Sequence, residues 1–218
     1  YEIASCLVGS EMCIRDSMDN EISIARAGGE GYVAAKLNSL TDKVLMDKII
    51  ECSQAGVKVE LVIRGISCLV AGVEGVTDNV QIRSIVGRYL EHARIYIFGT
   101  GVRKKVYISS ADYMTRNTTR RVEVAAPILS EEVKKRVLDI FDTQMQDNVK
   151  ARIMQPDGKY VRAEREDIAI DAQSRFYAEA YANAPKPAPV NDAKAVEPEK
   201  EKKGFLGWLK SLFRRKKK

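Results

Sequence analysis

Short apolar runs alternate with amphipathic segments along the chain, and their order predicts an α/β fold. Residues 31–40 form an apolar run with polar residues at its end, which is typical of a buried strand. In residues 43–54 the apolar side chains share one helical face, and Thr41 or Asp42 can cap that helix. Residues 57–65 form a second strand. Strand, helix and strand at this spacing predict a βαβ unit, whose two strands lie parallel in one sheet.

The same two periodicities predict the rest of a domain over residues 18–182. One predicted helix ends at residue 28, and three others cover residues 78–90, 130–147 and 168–182. Asp78 and Ser130 cap two of these helices. The predicted strands cover residues 93–98, 106–110, 121–126, 150–155 and 159–162. The last two strands flank Pro156-Asp157-Gly158, a sequence that is typical of a hairpin turn. Together these elements predict a mixed sheet flanked by helices.

The charge of the chain is concentrated at its C-terminus. The net charge at pH 7 is +6, but residues 201–218 contain six Lys, two Arg and one Glu, a local balance of +7, so that the other 200 residues together carry −1. No specific nucleic acid is therefore expected as a partner. The four cysteines show no CxxC spacing, which argues against zinc. Neither a membrane span nor a signal peptide is apparent, and a cytoplasmic protein is expected.

Residues 1–17 are expected to be an assembly artefact outside the domain. Residues 11–16 match the string that GAG ATG TGT ATA AGA GAC encodes, and they therefore resemble the translated transposon-end tag of a sequencing library. A natural N-terminal strand or helix is the alternative. If the tag is real, the natural protein begins further upstream, and this chain is expected to be a C-terminal fragment.

Basic and polar side chains follow two neighbouring strands of the predicted sheet. Lys36 and Asn38 stand at the end of the first strand, and Arg64 ends the second, with Gly65 beside it. Because ligands bind beyond the carboxyl ends of strands in open α/β sheets, this edge is the candidate site. An arginine can bind a phosphate there through two parallel hydrogen bonds, and a glycine lets backbone come close. An Arg64 that pairs with a neighbouring carboxylate is the alternative.

His92 is the single histidine of the sequence and stands just before a predicted strand. An imidazole titrates near neutrality and can neutralise or protonate a phosphate, although a packed, hydrogen-bonded histidine is the alternative. Arg88 lies on the preceding predicted helix, five residues after Arg83, so these two arginines do not share one helical face. Further groups that suit an anionic substrate, or alternatively an exposed arginine-rich loop, are Ser110, Arg116, Asn117 and Arg120.

Five segments at matching spacing resemble the C-terminal catalytic domain of bacterial polyphosphate kinase. They are KLNSL, QAGVKVELVIRGISCL, NVQIRSIVGRYLEHARIYIFG, VYISSADYMTRNTTRRVEV and DNVKARIMQPDGKYVR, in unbroken order over about residues 18–162. Five ordered motifs are far more specific than a lone histidine or arginine. The resemblance implies a transferase that makes long-chain polyphosphate reversibly from ATP, with Mg²⁺, through a phosphohistidine.

The resemblance also implies a fold and roles for single residues. The fold is phospholipase-D-like, with two similar halves that face each other across a tunnel, and this chain would be the ATP-binding half. Arg64 of IRGI would contact the nucleotide, and His92 of LEHAR would be the second catalytic histidine, beside the transferred phosphate. The possible polyphosphate contacts are Lys36, Asn38, Arg88, Ser110, Arg116, Asn117 and Arg120. The full-length enzyme is expected to be a homo-oligomer.

Departures from the family pattern limit what this chain is expected to do alone. The family's phosphohistidine, Mg²⁺-binding residues and nucleotide-stacking tyrosine belong to a preceding domain, and no second histidine is present here, so the chain alone is expected to be inactive. Arg94 stands where a phospholipase has the lysine of HxK, and Ser109-Ser110-Ala111-Asp112 replaces its Gly-Ser-x-Asn. The alternatives are a phospholipase-D-like phosphodiesterase, against which these replacements argue, and a non-catalytic polyanion-binding module that is tethered to the membrane.

The segment after residue 182 is expected to lie outside the domain. Residues 183–203 are rich in Pro, Ala, Lys and Glu and predict a disordered linker. In residues 204–218, six apolar side chains fall on one helical face and five basic residues follow, which predicts an amphipathic tail helix. We expect peripheral contact with the inner face of the membrane, with docking onto the domain or binding to polyphosphate as alternatives.

Overall fold

In residues 10–165 and 168–184, which the computed structural model describes, eight strands form one mixed sheet. The strands are β1 (Tyr32–Leu37), β2 (Lys58–Ile63), β3 (Val80–Ser84), β4 (Arg94–Phe98), β5 (Lys105–Ser109), β6 (Ala125–Pro127), β7 (Arg152–Met154) and β8 (Tyr160–Arg162). The helices are α1 (Ser10–Arg26), α2 (Lys43–Gln54), α3 (Thr115–Thr119), α4 (Glu131–Met145) and α5 (Ala172–Ala182).

The order of the strands across the sheet is β6-β5-β4-β1-β2-β3-β7-β8. β1, β2 and β3 are parallel neighbours, and the remaining pairs are antiparallel. The predicted mixed sheet flanked by helices is therefore confirmed. The strands predicted at 93–98 and 106–110, the hairpin around residue 157 and the helix that Ser130 caps are present, with small shifts in their ends.

The βαβ unit is formed as predicted. α2 connects β1 to β2, and the two strands pair in parallel over their full length. Asp42 caps α2, because its carboxylate accepts a hydrogen bond of 3.0 Å from the backbone N–H of Leu45. Gly56 follows the helix with a φ of +87°, a conformation that glycine adopts without strain, and the chain turns into β2.

Two clusters of buried side chains cover the two faces of the sheet. On one face, α1 and α2 pack against side chains of the central strands, such as Val33 and Leu61. On the other face, Phe141 of α4 packs in a cluster with Ala34. Because side chains alternate across a strand, Lys36 lies on the same face as Ala34, under α4.

The prediction of a helix over residues 78–90 is wrong. This part of the chain forms β3, which pairs in parallel with β2, followed by a loop to β4. Val80 and Ile82 are buried with a less buried residue between them, which is the alternation of a strand. Pairing with a neighbouring strand has overridden the local helix signal. Arg83 lies in β3 and Arg88 in the loop, so the helical spacing of these arginines has no counterpart in the structure.

The prediction of a strand over residues 121–126 is also wrong for most of these residues. After β5 the chain forms the short helix α3, and it enters β6 only at Ala125, where three residues pair with β5. Val122 is 91% exposed, so an apolar residue that suggested a buried strand lies in a surface loop. Likewise, α5 begins at Ala172, four residues after its predicted start.

α1 begins at Ser10, inside the segment that was expected to lie outside the domain. Ile14, Met18 and Ile22 of this helix are buried in the first cluster, so residues 10–17 are part of the fold. Their origin from a sequencing tag stays a prediction.

The sheet, the helices α1 to α4 and the part of α5 up to Glu179 belong to one compact unit. Most of the predicted linker (183–203) and the whole predicted tail helix (204–218) lie outside the described residues, as do residues 1–9. Over the described stretches, no helix has both the length and the apolar character that a membrane span requires.

Candidate active site

Four neighbouring strands begin or end at one edge of the sheet, which we call the strand-end edge. β1 and β2 are parallel and end there, whereas β4 is antiparallel to β1 and begins there. β5 is antiparallel to β4 and therefore ends at the same edge. The predicted site residues that this topology brings to the strand-end edge are Lys36, Asn38, Arg64, His92 and Ser110.

Asp112 is the buried centre of this edge. Its carboxylate accepts hydrogen bonds from the backbone N–H of Asn38 (2.7 Å), from the Asn38 side-chain amide (3.3 Å) and from the Arg94 guanidinium (2.9 Å). Burial alone would raise the pKa of Asp112, but the hydrogen bonds from Arg94 and Asn38 outweigh burial and hold this pKa below its ordinary value. The ionised carboxylate therefore ties the end of β1 to the beginning of β4.

Arg94 connects Asp112 to His92. Nη2 of Arg94 donates to Asp112, and its other terminal nitrogen, Nη1, lies 3.1 Å from Nδ1 of His92 and 3.2 Å from the His92 carbonyl oxygen. Because a guanidinium can only donate, Nδ1 is the acceptor, and the proton of the neutral imidazole is on Nε2. His92 is exposed, and in the described part of the chain its Nε2 has no hydrogen-bond partner. The side chain thus presents an N–H group to solvent.

Lys36 is buried beneath the strand-end edge. Its side chain is 2% exposed, and Nζ lies 3.3 Å from a carboxylate oxygen of Glu91. Burial lowers the pKa of Lys36; the Glu91 carboxylate acts in the opposite direction, and the Arg64 guanidinium adds to the lowering. Glu91 also accepts hydrogen bonds from the side-chain amides of Gln144 and Gln173. Lys36 therefore holds Glu91 in place, while its predicted contact with polyphosphate stays a prediction.

Arg64 differs from the other cations buried or half-buried at this edge. Lys36 and Arg94 each have a carboxylate partner. For Arg64, no acidic side chain of residues 10–165 and 168–184 lies within ion-pair distance, so the paired arginine of the alternative interpretation is not found there. A half-buried guanidinium without a counter-ion attracts an anionic ligand, and it can bind phosphate oxygens through two parallel hydrogen bonds.

Gly65 allows the ends of β1 and β2 to approach closely. Its N–H donates a hydrogen bond of 2.8 Å to the carbonyl oxygen of Asn38. A Cβ at this position would lie 2.7 Å from the same oxygen, so any other residue would push the two strand ends apart. The close approach predicted from the sequence therefore exists, but it is made to Asn38 of the chain itself.

A second polar group of the site surrounds Glu123. The Glu123 carboxylate accepts hydrogen bonds from the Ser110 hydroxyl and from the Asn117 side-chain amide. These contacts hold α3 near the end of β5. Arg116 and Arg120 of α3 are exposed, and neither has an acidic partner in the described part of the chain. The structure does not bring them into the network around Asp112, and their contact with polyphosphate stays a prediction.

A cavity of about 360 Å³ opens beside His92. Its lining comes from the strand-end edge, from the β3–β4 loop (residues 85–93) and from α4 and α5, and it includes Lys36, Tyr89, His92, Gln144, Gln173 and Tyr177. Arg88 is exposed in the same loop, with its guanidinium 5.8 Å from the centre of the Tyr89 ring. Phosphate contacts of Arg88 stay a prediction.

The residues of this site that were not singled out from the sequence include Glu91, Glu123, Gln144 and Gln173. Glu91 stands directly before His92, and its carboxylate inside the LEHAR motif could have drawn attention to it. The two glutamines give no local signal, because only the packing of α4 and α5 brings them to Glu91.

The carboxylates at the strand-end edge do not suit Mg²⁺. Asp112, Glu91 and Glu123 all accept hydrogen bonds from cationic or amide donors, which use the oxygens that a metal ion would need. Among the described residues, no group of three His, Cys, Asp or Glu side chains could hold a metal ion. The location of the Mg²⁺-binding residues in a preceding domain stays a prediction.

Among the described residues, the strand ends of this sheet carry a half-buried arginine without an acidic partner and an imidazole N–H, which could bind an anionic group at the edge where α/β proteins usually bind their ligands. The family model "Polyphosphate kinase C-terminal domain 2" matches residues 7–173. The chain therefore belongs to the polyphosphate kinase C-terminal domain family, as the five motifs indicated.

Curated relatives and a solved structure agree with this family. The chain is 46% identical over 168 residues to a polyphosphate kinase of Lactiplantibacillus plantarum, and the aligned region covers 77% of this chain and 23% of the relative. It is 48% identical over 171 residues to a polyphosphate kinase of Bacillus anthracis, with coverages of 77% and 24%. The crystal structure of polyphosphate kinase from Porphyromonas gingivalis matches with a TM-score of 0.74 and 33% identity, over 78% of this chain and 26% of that one. The chain thus spans about a quarter of the length of these relatives.

Proposed function

We propose that this chain is the ATP-binding half of the active site of a polyphosphate kinase, which transfers the terminal phosphate of ATP reversibly to long-chain polyphosphate. The family match supports this proposal over a phosphodiesterase. We call the protein that contains this chain together with the other domains of the family the complete kinase. The chain alone is proposed to be inactive, because it spans about a quarter of the length of these relatives and the resemblance implies that the phosphohistidine belongs to a preceding domain.

The observation that carries the proposal is the guanidinium of Arg64, which has no carboxylate partner in the described part of the chain. ATP and polyphosphate are both polyanions, and negative charge on the phosphates has to be stabilised during transfer. A fixed positive charge in a half-buried position can orient the phosphates of ATP and stabilise the transition state. Arg64 is therefore proposed to bind the nucleotide phosphates.

His92 is proposed to act on the phosphate that is transferred. Because Arg94 occupies Nδ1, the neutral imidazole can donate a hydrogen bond through Nε2–H to a phosphate oxygen. This donor can stabilise charge on the leaving or entering oxygen. Asp112 supports the arrangement, because it holds the Arg94 guanidinium through an ion pair of 2.9 Å.

Arg88, Arg116 and Arg120 are exposed near the site and are proposed to contact polyphosphate. We also propose that the complete kinase is a cytoplasmic homo-oligomer that uses Mg²⁺. Residues 204–218 are proposed to contact the membrane surface peripherally.

The substitution Arg64→Met tests the proposal in the complete kinase, because it removes the charge and keeps most of the side-chain length. We expect kcat/KM for ATP to fall about 10²-fold, equivalent to about 3 kcal/mol of transition-state stabilisation. A comparable loss is expected for ATP formation from ADP and polyphosphate, because both directions use the same site.

Arg26→Met is the matched control. Arg26 ends α1 on the surface, where it pairs with Glu51, and exposed pairs of this kind contribute little. Equal rates for Arg64→Met and Arg26→Met in both directions would contradict the proposed role of Arg64.

A further inference from the structure

The β3–β4 loop carries His92 but has few buried side chains of its own. Val86, Tyr89 and Leu90 are exposed. Ile85, at the start of the loop, is buried. A loop of this kind needs contacts from other elements to keep one conformation. The position of His92 therefore depends on what holds residues 86–91.

One side chain, Gln173 of α5, makes three hydrogen bonds to this loop. Its Oε1 accepts a hydrogen bond of 3.1 Å from the backbone N–H of Tyr89, and its Nε2 donates to the Tyr89 carbonyl oxygen at 2.9 Å. Nε2 also donates to a carboxylate oxygen of Glu91 at 2.9 Å. Gln173 is buried, so water competes little for these bonds. It holds the backbone three residues before His92 and the side chain directly before it.

Glu91 receives further support from below. Its second carboxylate oxygen accepts a hydrogen bond from Gln144 of α4 and pairs with Lys36 of β1 at 3.3 Å. The carboxylate thus connects the loop to α5, to α4 and to the sheet. A charged group with this many partners has little freedom to move, because each alternative position would leave a buried donor without an acceptor.

α5 is itself fixed at its first turn. The carboxylate of Asp147 accepts a hydrogen bond of 2.8 Å from the backbone N–H of Ala172, and Lys150 forms an ion pair of 3.0 Å with Asp171. Ala172 and Asp171, the two residues held by these contacts, immediately precede Gln173. The amide of Gln173 is therefore presented to the loop from an anchored backbone.

Gly87 gives the amide of Gln173 room to reach the loop. A Cβ at Gly87 would lie 2.2 Å from Oε1 of Gln173, a distance that no side chain tolerates. An alanine at this position would push the amide away without removing it. The stacked rings of Tyr89 and Tyr177, with centroids 6.0 Å apart, provide a second contact between the loop and α5.

We propose that Gln173 is a positioning residue of the kinase, which fixes the β3–β4 loop against α5 and thereby sets the place of His92 at the strand-end edge. This inference rests on the proposed function of His92. A donor that acts on a transferred phosphate has to stand within a fraction of an ångström of its working position, which requires a rigid support. Gln173 supplies that support from α5. It lies 84 residues further along the chain than Tyr89, whose backbone it holds.

Two variants of the complete kinase test the proposal, each compared with the unmodified protein. Gln173→Met keeps the size of the side chain and removes the three hydrogen bonds, whereas Gly87→Ala displaces the Gln173 amide. Arg175→Ala, an exposed position on the same helix, is the control. Hydrogen exchange of the peptide covering residues 87–92 should accelerate at least about tenfold in both variants and not in the control.

Catalysis supplies the second measurement. We expect kcat for phosphate transfer to fall about tenfold in both variants, while KM for ATP, which depends on Arg64, changes little. In a His92→Ala background, Gln173→Met should have no further effect on kcat, because Gln173 acts through the missing imidazole.

Unchanged exchange in the loop of both variants would overturn the proposal, and so would an unchanged kcat despite faster exchange. A further loss of kcat in the His92→Ala background would show that Gln173 acts by general destabilisation and not through His92. If His92→Ala by itself leaves kcat unchanged, the proposed function of His92 fails, and the exchange measurement still reports separately whether Gln173 holds the loop.

Discussion

The Arg94 guanidinium bridges Asp112 and the imidazole of His92. Its Nη2 lies 2.9 Å from the Asp112 carboxylate, and its Nη1 lies 3.1 Å from Nδ1 of His92. Asp112 follows β5, whereas His92 precedes β4, so the contact joins two strand ends. The bridge has two consequences: it stabilises the strand-end edge, and it determines which nitrogen of His92 carries the proton.

The first consequence predicts a loss of stability in Asp112→Asn. The change leaves the Arg94 guanidinium largely buried without a counter-charge, which costs about 3 kcal/mol of the free energy of unfolding at pH 7. Because the pKa of Asp112 in the folded chain is below its ordinary value of 3.8, its contribution is fully present above pH 3.8 and is lost as the pH falls through the lower folded value.

Urea unfolding between pH 2 and pH 7 measures this contribution. The difference in stability between the unmodified chain and Asp112→Asn should shrink as the pH falls below 3.8. Asp157→Asn, in the exposed turn between β7 and β8, is the control and should change the stability much less. A difference that is independent of pH, or absent at pH 7, would contradict the stabilising role of the Arg94–Asp112 pair.

The elements predicted correctly have strong local signals. The helix α2 has an Asp42 cap and an apolar face, and α4 has a Ser130 cap whose hydroxyl accepts a hydrogen bond from Val133. The turn at residues 156–158 is defined by its own sequence. The strand-end positions of Asn38 and Arg64 followed from these elements, since parallel strands end at the same edge of a sheet.

The elements predicted wrongly depend on contacts distant in the sequence. β3 exists because Val80 pairs with Val59 of β2, and a short segment with a capping aspartate before it gives a helix signal when read alone. The partners of Glu91 are similar, because Gln173 is brought to it only by the packing of α5. Which cation lacks a carboxylate partner is likewise a property of the folded chain.

Thiol reactivity should differ sharply between two cysteines. Burial raises the pKa of the Cys52 thiol to about 12, whereas Cys68 is exposed. Because the thiolate is the reactive form, iodoacetamide at pH 8 should alkylate Cys68 and leave Cys52 unmodified in the folded chain. Mass spectrometry of the digested protein measures this, with alkylation in urea as the control in which both react. Equal labelling of the two in the folded state would contradict the buried position of Cys52.

The 218-residue chain alone should make no polyphosphate from ATP and Mg²⁺. It spans 23% of the Lactiplantibacillus plantarum relative, and the resemblance places the phosphohistidine in a preceding domain. Chain-length analysis of polyphosphate after incubation with labelled ATP tests this expectation, with the complete kinase as the positive control. Sustained synthesis by the chain alone would show that it needs no second histidine.

The tail predicted at residues 204–218 should bind anionic membranes. Its five terminal basic residues each add roughly 1 kcal/mol near an anionic surface, and the six apolar side chains can then bury. Co-sedimentation with anionic and with neutral vesicles, for the chain with and without residues 204–218, measures the effect. We expect binding to anionic vesicles only, and only with the tail. Equal binding by the truncated chain would exclude the tail as the membrane contact.

His92 is proposed to act on the transferred phosphate, and single-turnover transfer from ATP in the complete kinase measures this role. His92→Ala should slow transfer on the order of 10²-fold, about 3 kcal/mol, as expected for the loss of an electrostatic catalytic group. The melting temperature should change little, because the His92 side chain is exposed. Leu90→Ala, at an exposed position of the same loop, is the control and should leave the rate unchanged. Near-normal transfer by His92→Ala together with a large loss of stability would contradict this role and make His92 a structural residue.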